Sequence, residues 1–452
     1  MKIFRLFVAF TLLCFALSPS ARAVTPPPDG GYPGGNTAEG DNALYNLSTG
    51  VNNTALGFRT LGDNTTGNNN TATGNFALAA NTASNNTATG NEALSHNRTG
   101  SFNTGTGTQA LQLNTIASYN TANGYVALRS NTTGSYNTAV GANSLENNSA
   151  GGLNTATGAF ALVFNNADEN TAIGTGALLG NTIGTQNTAS GAVALISNTS
   201  GNNDTANGAG ALSSNTIGND NSAIGQNALE QNVTGNNNTA CGISALAGNT
   251  TGNNNIAIGY FAGTNVTTGS NNIEIGHGGF AEEHDTIRIG NTNHIATFID
   301  GIYGVNEGSP ALPVYVSSGG QLGTVSSSKR FKQEIKPMEK ASEAVLALKP
   351  VTFQYKDDPK NTPQFGLIAE EVEQVNPDLV VHDKEGKPYS VRYDQVNAML
   401  LNEFLKAHRR MKEQDKRIEE LTAQMKQQAA QIQKVSAELE FSKPSPQVAA
   451  KN

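Results

Sequence analysis

The sequence is organised by a repeat of about 17 residues, whose core reads N-T-A-x-G-x-x-A-L. A glycine stands at the fifth place of every copy, and a leucine stands at the ninth place of the first thirteen. The spacing between successive copies is constant, except for two steps that are one residue shorter. A fixed short period of this kind is typical of a solenoid, in which each repeat forms one coil. The fifteen copies begin at Asn36, Asn53, Asn70, Asn86, Asn103, Asn120, Asn137, Asn154, Asn170, Asn187, Asp204, Asn221, Asn238, Asn255 and Asn272.

A period of about 17 residues is too short for a helical hairpin, which needs about 30 residues or more. It suits one coil of a β-solenoid, so we predict a mostly β body. In each coil the Thr-Ala-x triplet predicts a strand, the glycine predicts a turn, and the Ala-Leu segment predicts a second short strand. Stacking would place each Asn above the Asn of the neighbouring coil, where their amides can form a hydrogen-bonded ladder.

Each coil contributes few large apolar side chains to a core. One leucine and several small residues bury little surface to offset the conformational entropy that the coil loses on ordering. Because the coils are nearly identical, the register of each strand is also weakly specified. We therefore predict that neighbouring chains share the burial, and that another part of the chain sets the starting register.

The distribution of charge divides the chain near residue 328. Residues 24–328 hold four Arg, no Lys and 17 acidic residues, whereas residues 329–452 hold 21 basic and 19 acidic residues. The acidic front part argues against nucleic acid as a partner, because phosphate binding needs clustered cations. The later charges are interleaved in sign, as on a solvated helix surface.

Residues 1–23 have the pattern of a bacterial-type export signal. Lys2 and Arg5 precede an apolar run over residues 7–17, and residues 21–23 read Ala-Arg-Ala, a typical cleavage site. The apolar run is too short to cross a bilayer, and no later stretch is long enough. We therefore predict a secreted or cell-surface protein without a transmembrane segment.

Removal of the signal, with Cys14, leaves Cys241 alone in the mature chain. An intrachain disulfide is then excluded. Cys241 is either a small residue of the solenoid wall or a residue that forms a bond between subunits.

Composition places further boundaries along the chain. Residues 24–35 are predicted to form a Pro/Gly linker, residues 36–305 the solenoid body, and residues 306–326 a connector with a strand at 314–316. Apolar residues near the end of the body predict strands that cap the stack: Ile287, Ile289, Ile295, Phe298, Ile299 and Ile302. The same region holds His277, Glu282, His284, Asp285 and His294. Their spacing matches no standard metal-ligand motif, so we predict an exposed loop there and no metal site.

Residues 397–441 carry a heptad pattern, which predicts a coiled coil. The d positions include Gln414 and Gln428, which weaken the seam and favour one oligomeric state over another. A single amphipathic helix packed on a globular body is the alternative interpretation. Residues 442–452 are predicted to be a disordered tail. The apolar a positions are Phe404, Met411, Ile418, Met425, Ile432 and Leu439.

Ser327 and Lys332 stand at the charge border, five residues apart. Such a pair can act as nucleophile and base when the lysine amine is neutral, although lysine is also common at a charged helix start. Four blocks in this region resemble the endosialidase-type intramolecular chaperones, which are also classed as self-cleaving serine peptidases. They read SSKRFKQEIKP from Ser327, ALKPVTFQY from Ala347, QFGLIAEEVEQVNPDLV from Gln364 and YSVRYDQVNAMLLNEFL from Tyr389.

The resemblance implies a small α+β chaperone domain, residues 327–396, that trimerises and guides the folding of the fibrous body before it. It also implies that Ser327 is a nucleophile, that Lys332 is its base, and that the chain is cut between Ser326 and Ser327. The family's Asp after this Ser is Ser328 here, which leaves open whether the cut occurs. Glu370 and Glu371 are interpreted as acids at a helix start, not as catalytic groups.

The repeats resemble, less specifically, the head repeats of trimeric autotransporter adhesins, which form trimeric β-rolls. Residues 255–259, Asn-Ile-Ala-Ile-Gly, match most closely. The leading hypothesis is therefore a secreted, homotrimeric, fibre-like surface protein of the adhesin type. No cofactor is predicted, and a surface glycan or a host-cell ligand is the candidate partner.

Two other functions fit the sequence less well than a fibre-like surface protein. A glycan-degrading enzyme needs paired carboxylates, and the repeats hold few acids at no repeated place. An ice-binding solenoid needs a regular Thr-x-Thr array, and the second Thr is replaced in several coils, for example by Asn123, Ile173 and Cys241.

Overall fold

The computed structural model describes residues 31–300, 302 and 312–442. The chain divides into two units, residues 1–298 and residues 299–452. The predicted export signal, most of the linker, part of the connector and the predicted tail from residue 443 lie outside the described residues.

The first unit is a β-solenoid, as the repeat predicted. A short strand β1 pairs antiparallel with β2, and the sixteen strands β2–β17 then pair in parallel, each with the next along the chain. The strands β1–β17 are Gly31–Tyr32, Asn36–Glu39, Thr54–Leu56, Thr71–Thr73, Thr87–Thr89, Thr104–Thr106, Thr121–Asn123, Thr138–Val140, Thr155–Thr157, Thr171–Ile173, Thr188–Ser190, Thr205–Asn207, Ser222–Ile224, Thr239–Cys241, Ile256–Ile258, Ile273–Ile275 and Ile287–Ile289.

Each strand turns its middle residue inward and its two outer residues away from the core. In β4, Ala72 is fully buried while Thr71 and Thr73 are exposed. The core is a column of such alanines packed against one leucine and one further alanine from most coils, for example Leu78 and Ala77. Small side chains fit here because the two walls of so short a coil lie close together.

The predicted second strand does not form. The wall that carries the leucine is a run of turns, in which residues with left-handed backbone alternate with others. Phe76 and Leu78 have φ values of 57° and 51°. Because of this alternation, the Leu78 N–H donates to Ala93 O of the next coil at 3.0 Å, while the Asn81 N–H donates back to Leu78 O at 3.1 Å.

The repeated glycine lets neighbouring coils approach closely at the turn between the two walls. Gly107 has a φ of +127°, and a Cβ atom added to it would lie 2.3 Å from the Gly124 carbonyl oxygen. An L-residue is disfavoured at this φ, and its side chain would also meet backbone that cannot move aside. Both constraints act at this place from Gly40 to Gly242, whereas at Gly259 and Gly276 only the positive φ remains.

Two asparagine ladders are buried along the solenoid, which confirms the predicted amide stacking. In the first ladder, Asn53 Oδ1 accepts from the Asn70 backbone N–H at 3.0 Å and from Asn70 Nδ2 at 3.1 Å. In the second, Asn114 Nδ2 donates to Asn97 Oδ1 at 2.6 Å and to Ala117 O at 3.0 Å. These bonds satisfy amides that are fully buried, so the polar core costs little.

The solenoid ends differently from the prediction. Strand β17 adds a sixteenth coil after a shortened step of the chain, since Ile273 pairs with Ile287. The apolar residues that follow form no strand among the described residues up to 302, and Ile295 and Phe298 are almost fully exposed. The expectation of capping strands at Ile295, Phe298, Ile299 and Ile302 was therefore wrong. Apolar character alone indicated strands there, without the repeat that defines a coil.

Among its described residues, the second unit has three two-stranded antiparallel sheets, short 3₁₀ segments and two helices. Its small core joins Val372, Leu379, Val391, Val396 and Met399 with two further valines. The strands β18–β23 are Tyr315–Val316, Leu322–Gly323, Val351–Phe353, Gln364–Gly366, Val380–His382 and Pro388–Val391; the 3₁₀ segments are Lys329–Phe331, Glu339–Ala347 and Pro377–Leu379; helix α1 is Ala369–Val375 and helix α2 is Tyr393–Phe441.

Candidate self-cleavage site

The structure brings Ser327 and Lys332 together. Lys332 Nζ donates to Ser327 Oγ at 3.2 Å. The contact is made by the 3₁₀ turn Lys329–Phe331, in which the Phe331 N–H donates to Ser328 O and the Lys332 N–H donates to Lys329 O, both at 3.1 Å. The tight turn folds the chain back, so that side chains five residues apart meet.

Both side chains of this pair are exposed in the single chain. A lysine accepts a proton only as the neutral amine, a form that exclusion of water favours. The geometry of a nucleophile and its base is thus present, and the single chain does not supply the cover that excludes water. The scissile bond would lie immediately before Ser327, where Ser326 Oγ accepts from the Ser328 N–H at 3.3 Å.

Ser328 occupies the place where the resemblance expects an acid. Its carbonyl closes the 3₁₀ turn, and its side chain makes no capping bond. A carboxylate at this place would stand beside the Ser–Lys pair without disturbing the backbone bonds of the turn.

A second Ser–Lys contact lies deeper in this unit and was missed by the sequence analysis. Ser342 Oγ is buried and accepts from Asn402 Nδ2 at 2.7 Å and from Lys406 Nζ at 3.3 Å, and it donates to Glu403 Oε1. Lys406 Nζ also donates to Glu403 Oε1 at 2.7 Å. Bonds from Lys406 and Ser342 hold the pKa of Glu403 below its usual value.

This Ser342 cluster ties the 3₁₀ segment Glu339–Ala347 to the first turns of α2. The Ser342 hydroxyl is fully buried and its bonds are already made, so no substrate can reach it. Its partners lie about 60 residues away in the sequence, and no spacing rule links them. We interpret the cluster as a structural clamp at the base of the long helix.

Comparison with known proteins identifies one segment of the second unit. Residues 327–381 match the model of the Peptidase S74 family, described as chaperone of endosialidase. This segment is a chaperone-of-endosialidase domain. The match begins at Ser327, the residue that the sequence analysis placed after the scissile bond. No curated protein and no solved structure matches the chain significantly.

Helix α2 begins at Tyr393, after the matched segment, and its predicted seam is exposed. Only Val396 and Met399 of this 49-residue helix are buried. The a positions from Phe404 to Leu439 are half exposed or more. Nothing in the described part of the chain covers this apolar stripe, as expected of a helix that pairs with other chains. Glu370 and Glu371 lie in the first turn of α1, the position that its dipole favours for acids.

The solenoid holds two unusual buried acids. Burial raises the pKa of Asp204, which replaces Asn in the first ladder, to about 7. Burial, together with the charge of Glu283, also raises the pKa of Glu274 to about 7. The two acids lie in coils far apart in the stack and do not form the carboxylate pair of a glycosidase.

A group of polar and charged side chains lies near the end of the solenoid, and His277 is its one member from the five residues that the sequence analysis grouped there. Glu274 Oε2 contacts His277 Nδ1 at 3.2 Å, and Arg288 pairs with Glu283 and stacks over Phe280 at 4.6 Å. Burial and the nearby Arg288 lower the pKa of His277. Among the described residues, no group of three or more His, Cys, Asp or Glu side chains is arranged to hold a metal ion.

Two surfaces of the solenoid bear on the other candidate functions. The outward Thr residues of β4, β5 and β6 lie in register, but Asn123 and Ile173 interrupt the column. An open furrow of about 820 Å³ is lined by amide and hydroxyl side chains of five coils, including Asn202, Asn219 and Asn236.

Within the described residues, no helix is apolar over a length that would cross a bilayer.

Proposed function

We propose that the protein is a secreted, homotrimeric, fibre-like surface protein whose solenoid is folded by its C-terminal chaperone domain. The observation that carries the proposal is the order of the parts along the chain. A long β-solenoid with a thin core is followed by a chaperone-of-endosialidase domain and then by a helix with an uncovered apolar seam. Residues 1–23 are proposed to direct export. An adhesin role, with a surface glycan or a host-cell ligand as partner, is part of the same proposal.

The trimer is tested by the mass of the full chain in solution. Light scattering coupled to size exclusion is expected to give three times the mass of one chain. Met411→Glu with Ile418→Glu places two charges in the seam of each helix and is expected to reduce the mass to that of one chain, because buried unpaired charges are costly.

The matched control changes the opposite face of the same helix. Lys416→Glu with Ala423→Glu adds charge at exposed positions outside the seam and is expected to leave the trimer intact. A wild-type chain that stays monomeric at micromolar concentration would refute the trimer.

We further propose that the Ser327–Lys332 pair cuts the chain once, within the assembled trimer. Ser327 Oγ attacks the carbonyl carbon of Ser326, and the Lys332 amine takes the hydroxyl proton. The C–N bond between Ser326 and Ser327 breaks, and the proton passes to the leaving amine of Ser327. The resulting ester between the Ser326 acyl group and Ser327 Oγ is hydrolysed by water, which releases residues 327–452 from the solenoid.

Intact-mass measurement tests the cut. Wild type is expected to yield a fragment that begins at Ser327, whereas Ser327→Ala and Lys332→Met are expected to remain whole. Ser326→Ala, which alters the neighbouring hydroxyl, should still be cut. Ser328→Asp, which restores the acid found in the family, is expected to raise the cleaved fraction. Persistence of the fragment in Ser327→Ala would show that another residue or a contaminating protease makes the cut.

A further inference from the structure

The outward face of the last three solenoid strands consists of isoleucine alone. In β15, β16 and β17 both outer residues are Ile, and they form two in-register columns of three. Five of the six side chains are exposed, from 37% at Ile256 to 68% at Ile289, and Ile273 is half-buried. This Ile face is formed by Ile256, Ile258, Ile273, Ile275, Ile287 and Ile289.

The strands do not require isoleucine at these places. The same outer positions in β4, β5 and β6 are all Thr, and those strands have the same parallel pairing as β15–β17, although Glu274 and Arg288 take the inward places of the last two strands. Thr and Ile are both β-branched and both favour strands. Replacing Thr by Ile therefore adds apolar surface, and apart from the contacts between neighbouring Ile residues in each column this surface meets water in the single solenoid.

The size of the Ile face indicates contact with another molecule. Six isoleucines at this exposure present several hundred Å² of apolar surface, about the size of patches that mark interaction sites. A stable interface between free proteins needs about 800 Å² from each partner. The Ile face is thus too small to recruit a free partner by itself, and large enough to join molecules that are already held together.

The lack of charge on the outer residues of the Ile face and of the strands beside it indicates which molecule it contacts. The outer residues of β13 and β14, which extend the two columns, are Ser222, Ile224, Thr239 and Cys241, so the surface is uncharged over five strands. A neutral apolar surface is complementary to itself. The exposed seam of α2 provides the means to bring copies of this chain together at high effective concentration.

We infer that the Ile face packs against the Ile faces of the other copies in the trimer, and joins the solenoids at their C-terminal coils. This inference rests on the proposed trimer. It divides the outward sheet face by role: isoleucines near the end of the body bind neighbouring chains, while the threonines of the earlier coils stay in contact with water. It also explains how a solenoid with a thin core buries more apolar surface, because each Ile face is covered when the chains assemble.

Cys241 provides a direct probe of this interface. It is exposed and lies in one of the two columns, paired in register with Ile258. If three Ile faces meet, three Cys241 thiols come close at the same level. In the full chain with Cys14→Ser, mild oxidation or a short bis-maleimide is expected to join two chains covalently. The yield should not change on tenfold dilution, because the chains are already assembled.

Two variants make the test specific. Moving the thiol to the other wall of the same coil, with Cys241→Ser and Ile243→Cys, is expected to abolish the cross-link, although Ile243 is also exposed. Ile256→Thr with Ile273→Thr and Ile287→Thr gives the face the residues of earlier coils. This variant is expected to keep the trimeric mass through α2 and to lower the cross-linking yield at Cys241 at least tenfold.

The outcomes separate this inference from the proposed function. A trimer by light scattering that neither cross-links at Cys241 nor responds to the three Ile→Thr changes would overturn the Ile-face contact and leave the trimer standing. A cross-link from Ile243→Cys equal to that from Cys241 would also overturn it. A monomeric wild type would refute both proposals together.

Discussion

Gly107→Ala is expected to destabilise the solenoid by about 4 kcal/mol or more, the range that single substitutions reach only through a definite structural conflict. The added methyl group would lie 2.3 Å from the Gly124 carbonyl oxygen of the next coil. The backbone there, at a φ of +127°, is also strained for any L-residue, at a cost of about 1–3 kcal/mol. Relief would require the two coils to separate, which breaks their shared hydrogen bonds. Urea unfolding followed by circular dichroism measures the loss.

Gly105→Ala is the matched control, two residues earlier in the same coil. Gly105 occupies the inward place that is Ala in the flanking strands, and an added Cβ would lie 3.2 Å from Ala110 O and 3.4 Å from Leu94 Cδ1. We expect this change to be neutral or slightly stabilising, because it fills a place that the coil accommodates elsewhere. Equal destabilisation by the two substitutions would contradict the close-approach argument.

Asp204→Asn is expected to stabilise the solenoid by roughly 4 kcal/mol above pH 7, and to have little effect below the unfolded pKa of 3.8. The folded pKa is raised to about 7 by burial. Between the two values the folded chain retains a proton that the unfolded chain releases, so stability falls as pH rises through this window. Above the folded pKa of about 7 the full free-energy cost of burying the carboxylate remains. Asn carries no charge and removes this pH dependence.

The ladder geometry explains why Asp is the weaker residue at this place. Asp204 Oδ1 accepts from the Asn221 backbone N–H at 2.9 Å, as an Asn oxygen would. In the coils on either side, the Asn187 and Asn221 amides donate to the carbonyl oxygens of Gly201 and Gly235. Ionised Asp has no hydrogen to donate there. Asp204 Oδ2 accepts from Asn215 Nδ2 at 3.1 Å instead, so Asp204 either keeps its proton or gives up the bond that an Asn amide donates to a backbone carbonyl.

The measurement is the free energy of unfolding of wild type and variant at several values between about pH 3 and about pH 9. Only the difference between the two is used, so that Glu274, present in both, cancels. Asn221→Asp provides the converse test and should introduce a second stability loss with the same sign. A difference that stays constant across the window would show that Asp204 is ionised in the fold without penalty.

The solenoid could be predicted from the sequence because the constant period determines the length of each coil. The positions of the glycine and the asparagine within the repeat determine the turn and the hydrogen-bonded asparagine ladder. The leucine wall could not be predicted, because Leu78 and its equivalents adopt a left-handed backbone that leucine rarely shows in isolation. Bonds to the neighbouring coil impose that conformation. Strand β17 was predicted as a capping strand but not as a further coil, because its step is shorter than the repeat.

The candidate site was likewise predictable from the sequence only in part. The spacing of Ser327 and Lys332 brought the pair to attention, and a 3₁₀ turn accounts for their contact. That they cut the chain stays a prediction. The Ser342 clamp could not be found from the sequence, because it joins segments about 60 residues apart through side chains that are common on any helix.

The two coils that are one residue short show how this architecture tolerates change. Asn81 and Asn165 are followed by a corner that is one residue shorter, and their amides donate to Ala83 O and Ala167 O, two places on, instead of a carbonyl three places on. The strands Thr71–Thr73 and Thr87–Thr89 still pair without a shift. Since each coil touches only its two neighbours, gain or loss of one copy in the gene would lengthen or shorten the protein and leave every other contact unchanged. Unequal recombination would thus adjust the length of the solenoid one unit at a time.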